Sequence, residues 1–133
     1  MVPTPLSIGL TLCHSRIIEK RTRNLTLVGT FLGFRASDFP FTPTPFHVVS
    51  SLIGGQGEGE LGLTITHLET DDELFALYRR LAFPDRLTAV RVAFRLSTCV
   101  FPEAGAYVMT LLMDEEWVTQ PRFEVSYEES LYE

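Results

Sequence analysis

The sequence predicts an all-β protein built as an antiparallel sandwich of two sheets, with seven to eight strands. In several short segments apolar and polar residues alternate with a period of two, the pattern of a strand with one buried face. Clusters of glycine and proline separate these segments, as turns do in all-β proteins. The 133 residues, 45% of them hydrophobic, are enough for one core, so we expect a single domain over residues 1–133, with a frayed acidic tail at 126–133.

The N-terminal third of the chain predicts two strands. From Leu6 to Leu12, leucine and isoleucine alternate with small polar residues, and a polar, basic connection follows over residues 15–23. Residues 24–34 are apolar on both faces, which indicates a central strand or a bulged strand, with Gly29 and Gly33 at close approaches. Residues 35–45 contain three prolines and no periodicity. We therefore expect a loop there, with two phenylalanines that plug the open end of the core.

Three further strands follow from period-two alternation. Residues 46–53 and 61–67 form the first two, joined by a flexible glycine-rich turn. Residues 87–96 form the third, with Arg91 and Arg95 on an outer, positively charged face. The alternation also predicts which side chains are buried. These are Leu10, Leu27, Phe31, Ile65, Val92, Phe94, Tyr107 and Phe123.

The segment between Thr70 and Phe83 fits two structures. Thr70 and Glu73 have the spacing of a capping box, and the following apolar residues lie on one helical face, which favours a short helix. Alternatively, a turn precedes a strand with its phenylalanines facing inward. That strand has to place Arg79 inward or bend at a bulge, and the local pattern leaves both structures open.

The last predicted unit is a hairpin of two strands, residues 106–113 and 117–125. The outer face of its first strand carries two large aliphatic residues where a solvent-facing surface is normally polar. Either the segment 70–83 or a second chain has to cover it. We therefore predict a partner interface formed by four residues. These are Val108, Thr110, Leu112 and Trp117.

Four short motifs resemble a family of small bacterial β-sandwich proteins classed only as a domain of unknown function. They are Leu25–Phe31, Asp38–Pro40, Gly105–Tyr107 and Arg122–Val125, and the resemblance covers about Leu10 to Val125. It favours a strand over residues 73–83 and implies no catalytic residue. The closing hairpin also resembles that of immunoglobulin-like domains, so we expect an immunoglobulin-like sandwich.

The net charge and the absence of known motifs argue against several classes of function. A net charge of −6 argues against a nucleic-acid binder, and no stretch approaches the roughly 20 apolar residues that span a bilayer. Cys13 and Cys99 lie in apolar segments, which predicts reduced, buried thiols and a cytoplasmic location. No zinc spacing, serine-hydrolase motif or phosphate loop is present, so we expect no enzyme, cofactor or metal.

These observations favour a non-catalytic cytoplasmic interaction module that binds a protein partner or itself. The alternative is a ligand- or metal-binding domain with a site in the end loops near Asp71, Asp72 and Phe39, because calcium-binding sandwiches gather carboxylates from such loops. A weaker third hypothesis is docking to an anionic membrane through the basic connection at residues 15–23.

Overall fold

The computed structural model describes residues 4–128, which form ten strands and, within that range, no helix. The prediction of an all-β chain with two sheets is confirmed. Within those residues, no helix is long and apolar enough to cross a membrane. The strands in chain order are β1 (Leu6–Ile18), β2 (Leu25–Phe31), β3 (Phe34–Ala36), β4 (Phe46–Ile53), β5 (Gly57–His67), β6 (Glu73–Phe83), β7 (Val90–Leu96), β8 (Gly105–Met113), β9 (Glu116–Thr119) and β10 (Arg122–Tyr127).

The strands divide into a four-stranded and a six-stranded sheet. The four-stranded sheet has the order β2-β1-β4-β7, and the six-stranded sheet has the order β3-β10-β8-β5-β6, with β9 also paired to β8. Neighbours are antiparallel except β3 and β10, which are parallel. The number of strands exceeds the predicted seven to eight for two reasons. The strand β3 has only three residues, too few to show an alternating pattern in the sequence. The returning strand of the closing hairpin is also interrupted at Pro121, which divides it into β9 and β10.

One hydrophobic core joins the inner faces of both sheets. Five of the eight predicted core residues are buried: Ile65, Val92, Phe94, Tyr107 and Phe123. Leu10 and Phe31 are half-buried at the margin of the core, and Leu27 is half-buried outside it, so the prediction is wrong for these three. All three lie on β1 and β2, at the side of the four-stranded sheet where β2 has no outer neighbour. Phe39 and Phe41 pack against the core from the predicted loop.

The prediction of a central strand over residues 24–34 is wrong, because β2 is an edge strand that pairs only with β1. Val28 is 42% exposed, and Leu32, which follows the strand, is 92% exposed. The apolar residues on its second face therefore point into solvent. The predicted basic connection is also shorter than expected, since β1 continues to Ile18 and pairs with β2 up to that residue.

Within the segment 70–83, residues 73–83 form the strand β6 and not a helix, as the strand alternative and the family resemblance predicted. The strand pairs along its whole length with β5, and this tertiary pairing outweighs the local helical pattern. The arginine that the strand hypothesis had to accommodate does face inward: the Cζ atom of Arg79 lies 4.3 Å from the centre of the Phe94 ring. A strand is thus compatible with Arg79 because its guanidinium stacks on a core aromatic ring.

The predicted tail over residues 126–133 begins later than expected. Ser126 and Tyr127 belong to β10, where they pair with β3, and the amide of Glu128 donates a hydrogen bond to the carbonyl of Ala36 over 2.7 Å. The remainder of the predicted tail, residues 129–133, lies outside the described residues.

Candidate interaction surface

The predicted interface residues lie together on the outer face of the six-stranded sheet. Along β8, Tyr107, Met109, Leu111 and Met113 face the core, so Val108, Thr110 and Leu112 face outward. Trp117 is the cross-strand neighbour of Leu112 on β9. All four predicted residues line one groove with a volume of about 330 Å³. Of the four only Trp117 is exposed, because Val108 and Thr110 are buried by their neighbours and Leu112 is half-buried, so the expectation of an uncovered aliphatic face is wrong for Val108.

A row of large apolar side chains crosses this groove. Tyr78, Gly62, Leu112 and Trp117 are successive cross-strand neighbours on β6, β5, β8 and β9. Gly62 leaves room for the Tyr78 ring, because a Cβ atom at this position would lie 2.6 Å from Cε1 of Tyr78. Tyr78 is 52% and Trp117 67% exposed. The row therefore presents two aromatic rings to solvent, and Leu112 between them is half-buried.

A polar strip lies beside the apolar row. Thr64 and Thr110 face each other across β5 and β8, and both are buried among their neighbours. The Nε2 amide of Gln120 donates a hydrogen bond of 3.2 Å to the Oγ1 hydroxyl of Thr110. The groove thus has a floor of hydrogen-bonding hydroxyl groups next to an aromatic rim, which is the mixture found in many protein interfaces.

The turn between β5 and β6 closes one end of the groove with acidic groups. The amide of Asp71 donates to the carbonyl of His67 over 2.8 Å, and Asp71 has a φ angle of 61°. Asp71 lines the groove together with Glu73, whereas Asp72 and Phe39 do not. Between residues 4 and 128 no group of three or more His, Cys, Asp or Glu side chains is arranged to hold a metal ion. Of the three residues that the alternative end-loop hypothesis named, Asp71 alone therefore lines this groove.

His67 holds this turn in place from inside. Its ring is 1% exposed, and its Nδ1 atom accepts hydrogen bonds from the amides of Glu69 and Thr70, at 3.2 and 3.3 Å. Because Nδ1 is an acceptor, the proton resides on Nε2, which lies 3.1 Å from a carboxylate oxygen of Glu103. The two atoms are close but lack hydrogen-bond geometry, so their contact is electrostatic. His67 is a structural residue of the turn.

The two cysteines are free, buried thiols. Burial raises the pKa of Cys99 to about 12, and it also raises the pKa of Cys13, where the positive charge of Arg16 acts in the opposite direction. Both side chains are therefore protonated at neutral pH. A thiolate is the reactive form of cysteine, so neither residue is prepared to act as a nucleophile.

Sequence reasoning missed Tyr78, Leu68 and Gln120 as members of the surface. Leu68 is 41% exposed and lines the groove beside Asp71. Tyr78 could have been assigned to the outer face by alternation only if residues 73–83 had been taken as a strand. Gln120 stands in the interruption between β9 and β10, which the neighbouring Pro121 marks in the sequence.

Comparison with known proteins gives a family but no function. No curated protein matches the chain. Residues 9–126 match a family described as a family of unknown function, DUF6941. The matched range begins inside β1 and ends inside β10, so it includes all or part of every strand. The chain therefore belongs to the DUF6941 family of unknown function.

Proposed function

We propose that the chain is a non-catalytic protein-interaction domain that binds a partner protein through the groove on β6, β5, β8 and β9. The observation that carries this proposal is the pair of exposed aromatic residues Tyr78 and Trp117, which stand in one cross-strand row with the half-buried Leu112. Tryptophan and tyrosine are the residues most enriched among those that dominate binding energies at interfaces. They also bring large contact areas at a low cost in side-chain entropy.

The charges around the groove favour a different protein over a second copy of this chain. Asp71 and Glu73 stand at one end, and Glu116 neighbours the exposed Trp117. In a two-fold symmetric dimer the same face meets itself, and acidic groups then oppose one another. Like charges across an interface are unfavourable. We therefore propose a partner that presents an apolar patch flanked by lysine or arginine.

We also propose that the two sheets form an immunoglobulin-like sandwich. Two features support this classification beyond the all-β pairing. Strand β8 lies between β5 and β10, in the middle of the larger sheet. Near its start, the Tyr107 hydroxyl donates a hydrogen bond of 2.5 Å to the carbonyl of Glu103. A tyrosine bonded to the backbone a few residues upstream is a feature of the corner before strand F in immunoglobulin-like domains.

A cytoplasmic location completes the proposal. Disulfides are rare in the reducing cytosol, where cysteines behave as small buried apolar residues. Cys13 and Cys99 are both unpaired and buried, which supports this location.

The proposal is tested by comparing single variants in partner capture and then in affinity. The immobilised domain captures binding proteins from a lysate of its source cells, and the captured partner is purified and titrated by calorimetry. We expect Trp117→Ala and Tyr78→Ala each to weaken binding about tenfold or more, the loss typical of a dominant interface aromatic. Tyr127→Ala is the matched control, because Tyr127 is an exposed aromatic residue outside the groove.

Two outcomes would contradict the proposed surface or the proposed kind of partner. A partner that binds Trp117→Ala and Tyr78→Ala as tightly as the unaltered domain contradicts the proposed surface. Sedimentation tests self-association separately: a dimer of the 15.0 kDa chain that Leu112→Glu dissociates into folded monomers makes a second copy the partner.

A further inference from the structure

A second groove, with the opposite charge, lies on the four-stranded sheet. Its volume is about 280 Å³, and its lining includes three arginines, Arg16, Arg23 and Arg91. Apolar side chains complete the walls, among them Leu25 and Val49. This groove shares no lining residue with the interaction surface on the six-stranded sheet.

The three arginines come from separate segments that the fold brings together. Arg16 lies on β1 and Arg91 on β7, two strands that flank β4. Arg23 lies at the tip of the β1–β2 hairpin with a φ angle of 64°, and its amide donates to the carbonyl of Glu19 over 2.8 Å. The Nη1 atom of Arg91 donates a hydrogen bond of 3.3 Å to the carbonyl of Arg23. This contact links the hairpin tip to β7, so the fold brings Arg23 and Arg91 together.

No acidic side chain within residues 4–128 pairs with these arginines. In that part of the chain the carboxylates in contact with basic side chains are Glu58, which pairs with Arg80, and Glu103, which contacts the imidazole of His67. Arg80, Glu58 and His67 all belong to strands of the six-stranded sheet. Moreover, β1, β2, β4 and β7 contain no Asp or Glu, whereas the strands of the six-stranded sheet carry five glutamates. The groove is therefore a concentrated positive site in a chain with a net charge of −6.

We propose that this groove binds a phosphate monoester whose organic part lies against the apolar walls. A guanidinium group donates two parallel hydrogen bonds to a phosphate, and several guanidinium groups match a dianionic phosphate better than a single carboxylate. Leu25 and Val49 offer the apolar contact for the organic group. The same chemistry is present in a small organic phosphate and in the headgroup of a phosphatidic acid, and the experiment distinguishes these two sources.

Phenyl phosphate is the soluble probe and benzoate its carboxylate counterpart. Both are titrated by calorimetry and by thermal unfolding, since a ligand that binds the folded state raises the melting temperature. We expect phenyl phosphate to bind more tightly than benzoate and inorganic phosphate. Arg91→Gln and Arg23→Gln should each weaken its binding about tenfold, the loss expected for one charge-assisted contact. These residues are exposed, so the variants should fold, and their melting temperatures without ligand verify this.

Arg95→Gln is the matched control, because Arg95 lies on the same strand and the same outer face as Arg91 but does not line the groove. Vesicles with and without phosphatidic acid supply the lipid arm. Soluble binding without vesicle binding supports a small phosphate as the ligand; vesicle binding that phenyl phosphate competes away supports a lipid headgroup. Equal weakening by Arg91→Gln and Arg95→Gln indicates only diffuse attraction to a basic face and overturns the proposal, as does the absence of both kinds of binding.

Discussion

The stacking of Arg79 on Phe94 predicts a measurable coupling between the two sheets. The guanidinium carbon lies 4.3 Å from the ring centre, and Phe94 is 1% exposed, so the ring is fixed in the core. Arg79 itself is an exposed residue, and its guanidinium therefore keeps part of its hydration. The appropriate magnitude is that of an exposed cation–π pair, about 0.5–1 kcal/mol.

A double-mutant cycle measures this term. Arg79→Met removes the charge and keeps an apolar side chain, while Phe94→Leu removes the ring and keeps most of the apolar contact. Urea unfolding of the unaltered protein, the two single variants and the double variant gives four free energies of unfolding. We expect Phe94→Leu alone to cost about 1–2 kcal/mol. The coupling energy should be about 0.5–1 kcal/mol in favour of the native pair.

Arg80→Met combined with Phe94→Leu is the control cycle. Arg80 is the next residue on β6, faces outward and contacts Glu58 over 3.2 Å. Its coupling to Phe94 should therefore lie within the ordinary additivity error of about 0.3 kcal/mol. A value that small for Arg79 as well would refute the stacking and, with it, the inward orientation of that residue.

Three further predictions concern single positions. Because Phe31 is half-buried, Phe31→Ala should lower the free energy of unfolding in urea melts by about 1.5–2.5 kcal/mol. Truncation of a fully buried phenylalanine such as Phe94 should lower it by about 3–5 kcal/mol, and equal losses for the two variants would contradict this difference in burial. Since burial raises the pKa of Cys99 to about 12, a thiol reagent at neutral pH should label it only in the denatured protein, and rapid labelling of the native protein would show an open site. Hydrogen bonds from the Thr88 side chain and from the amides of Leu87 and Thr88 lower the pKa of Asp85 below the model-compound value of 3.8. The Asp85 carboxylate therefore stabilises the fold above that pH, and this stabilisation is lost as the pH falls through the folded-state pKa. Asp85→Asn should therefore differ from the unaltered protein most at neutral pH and least in acid, and a difference in stability that stays constant across that range in a pH series of urea melts would exclude this linkage.

Alternation predicted the faces of the inner strands well, because it depends only on neighbouring residues. The outward assignment of Val108, Thr110 and Leu112 and the inward assignment of Tyr107 both followed from the period of two. Alternation does not indicate how many neighbours a strand has. This is why β2 was predicted as a central strand although it is an edge strand, and why Leu27 lies outside the core.

The groove that we propose as an interaction surface was predicted in part for the same reason. Three of its residues lie on β8 and one on the adjacent β9, so a hairpin alone brought them together. Tyr78 reaches the row through β5, where Gly62 leaves space for its ring, and only the full strand order reveals this contact. The basic groove depends even more on the tertiary structure. Its arginines come from two strands and a hairpin tip, and they are separated by up to 75 positions in the chain, from 16 to 91.

Four properties of this protein follow from its amino-acid order alone: the all-β class, the alternation of the inner strands, the acidic balance and the family. Each of these depends on composition or on the order of nearby residues. The tertiary structure decided that residues 73–83 form a strand, since pairing with β5 and the stacking of Arg79 on Phe94 outweigh a local capping pattern. It also decided which charges share a face. Strands with and without acidic residues are interspersed along the chain, and their pairing into two sheets collects them on opposite sides of the molecule.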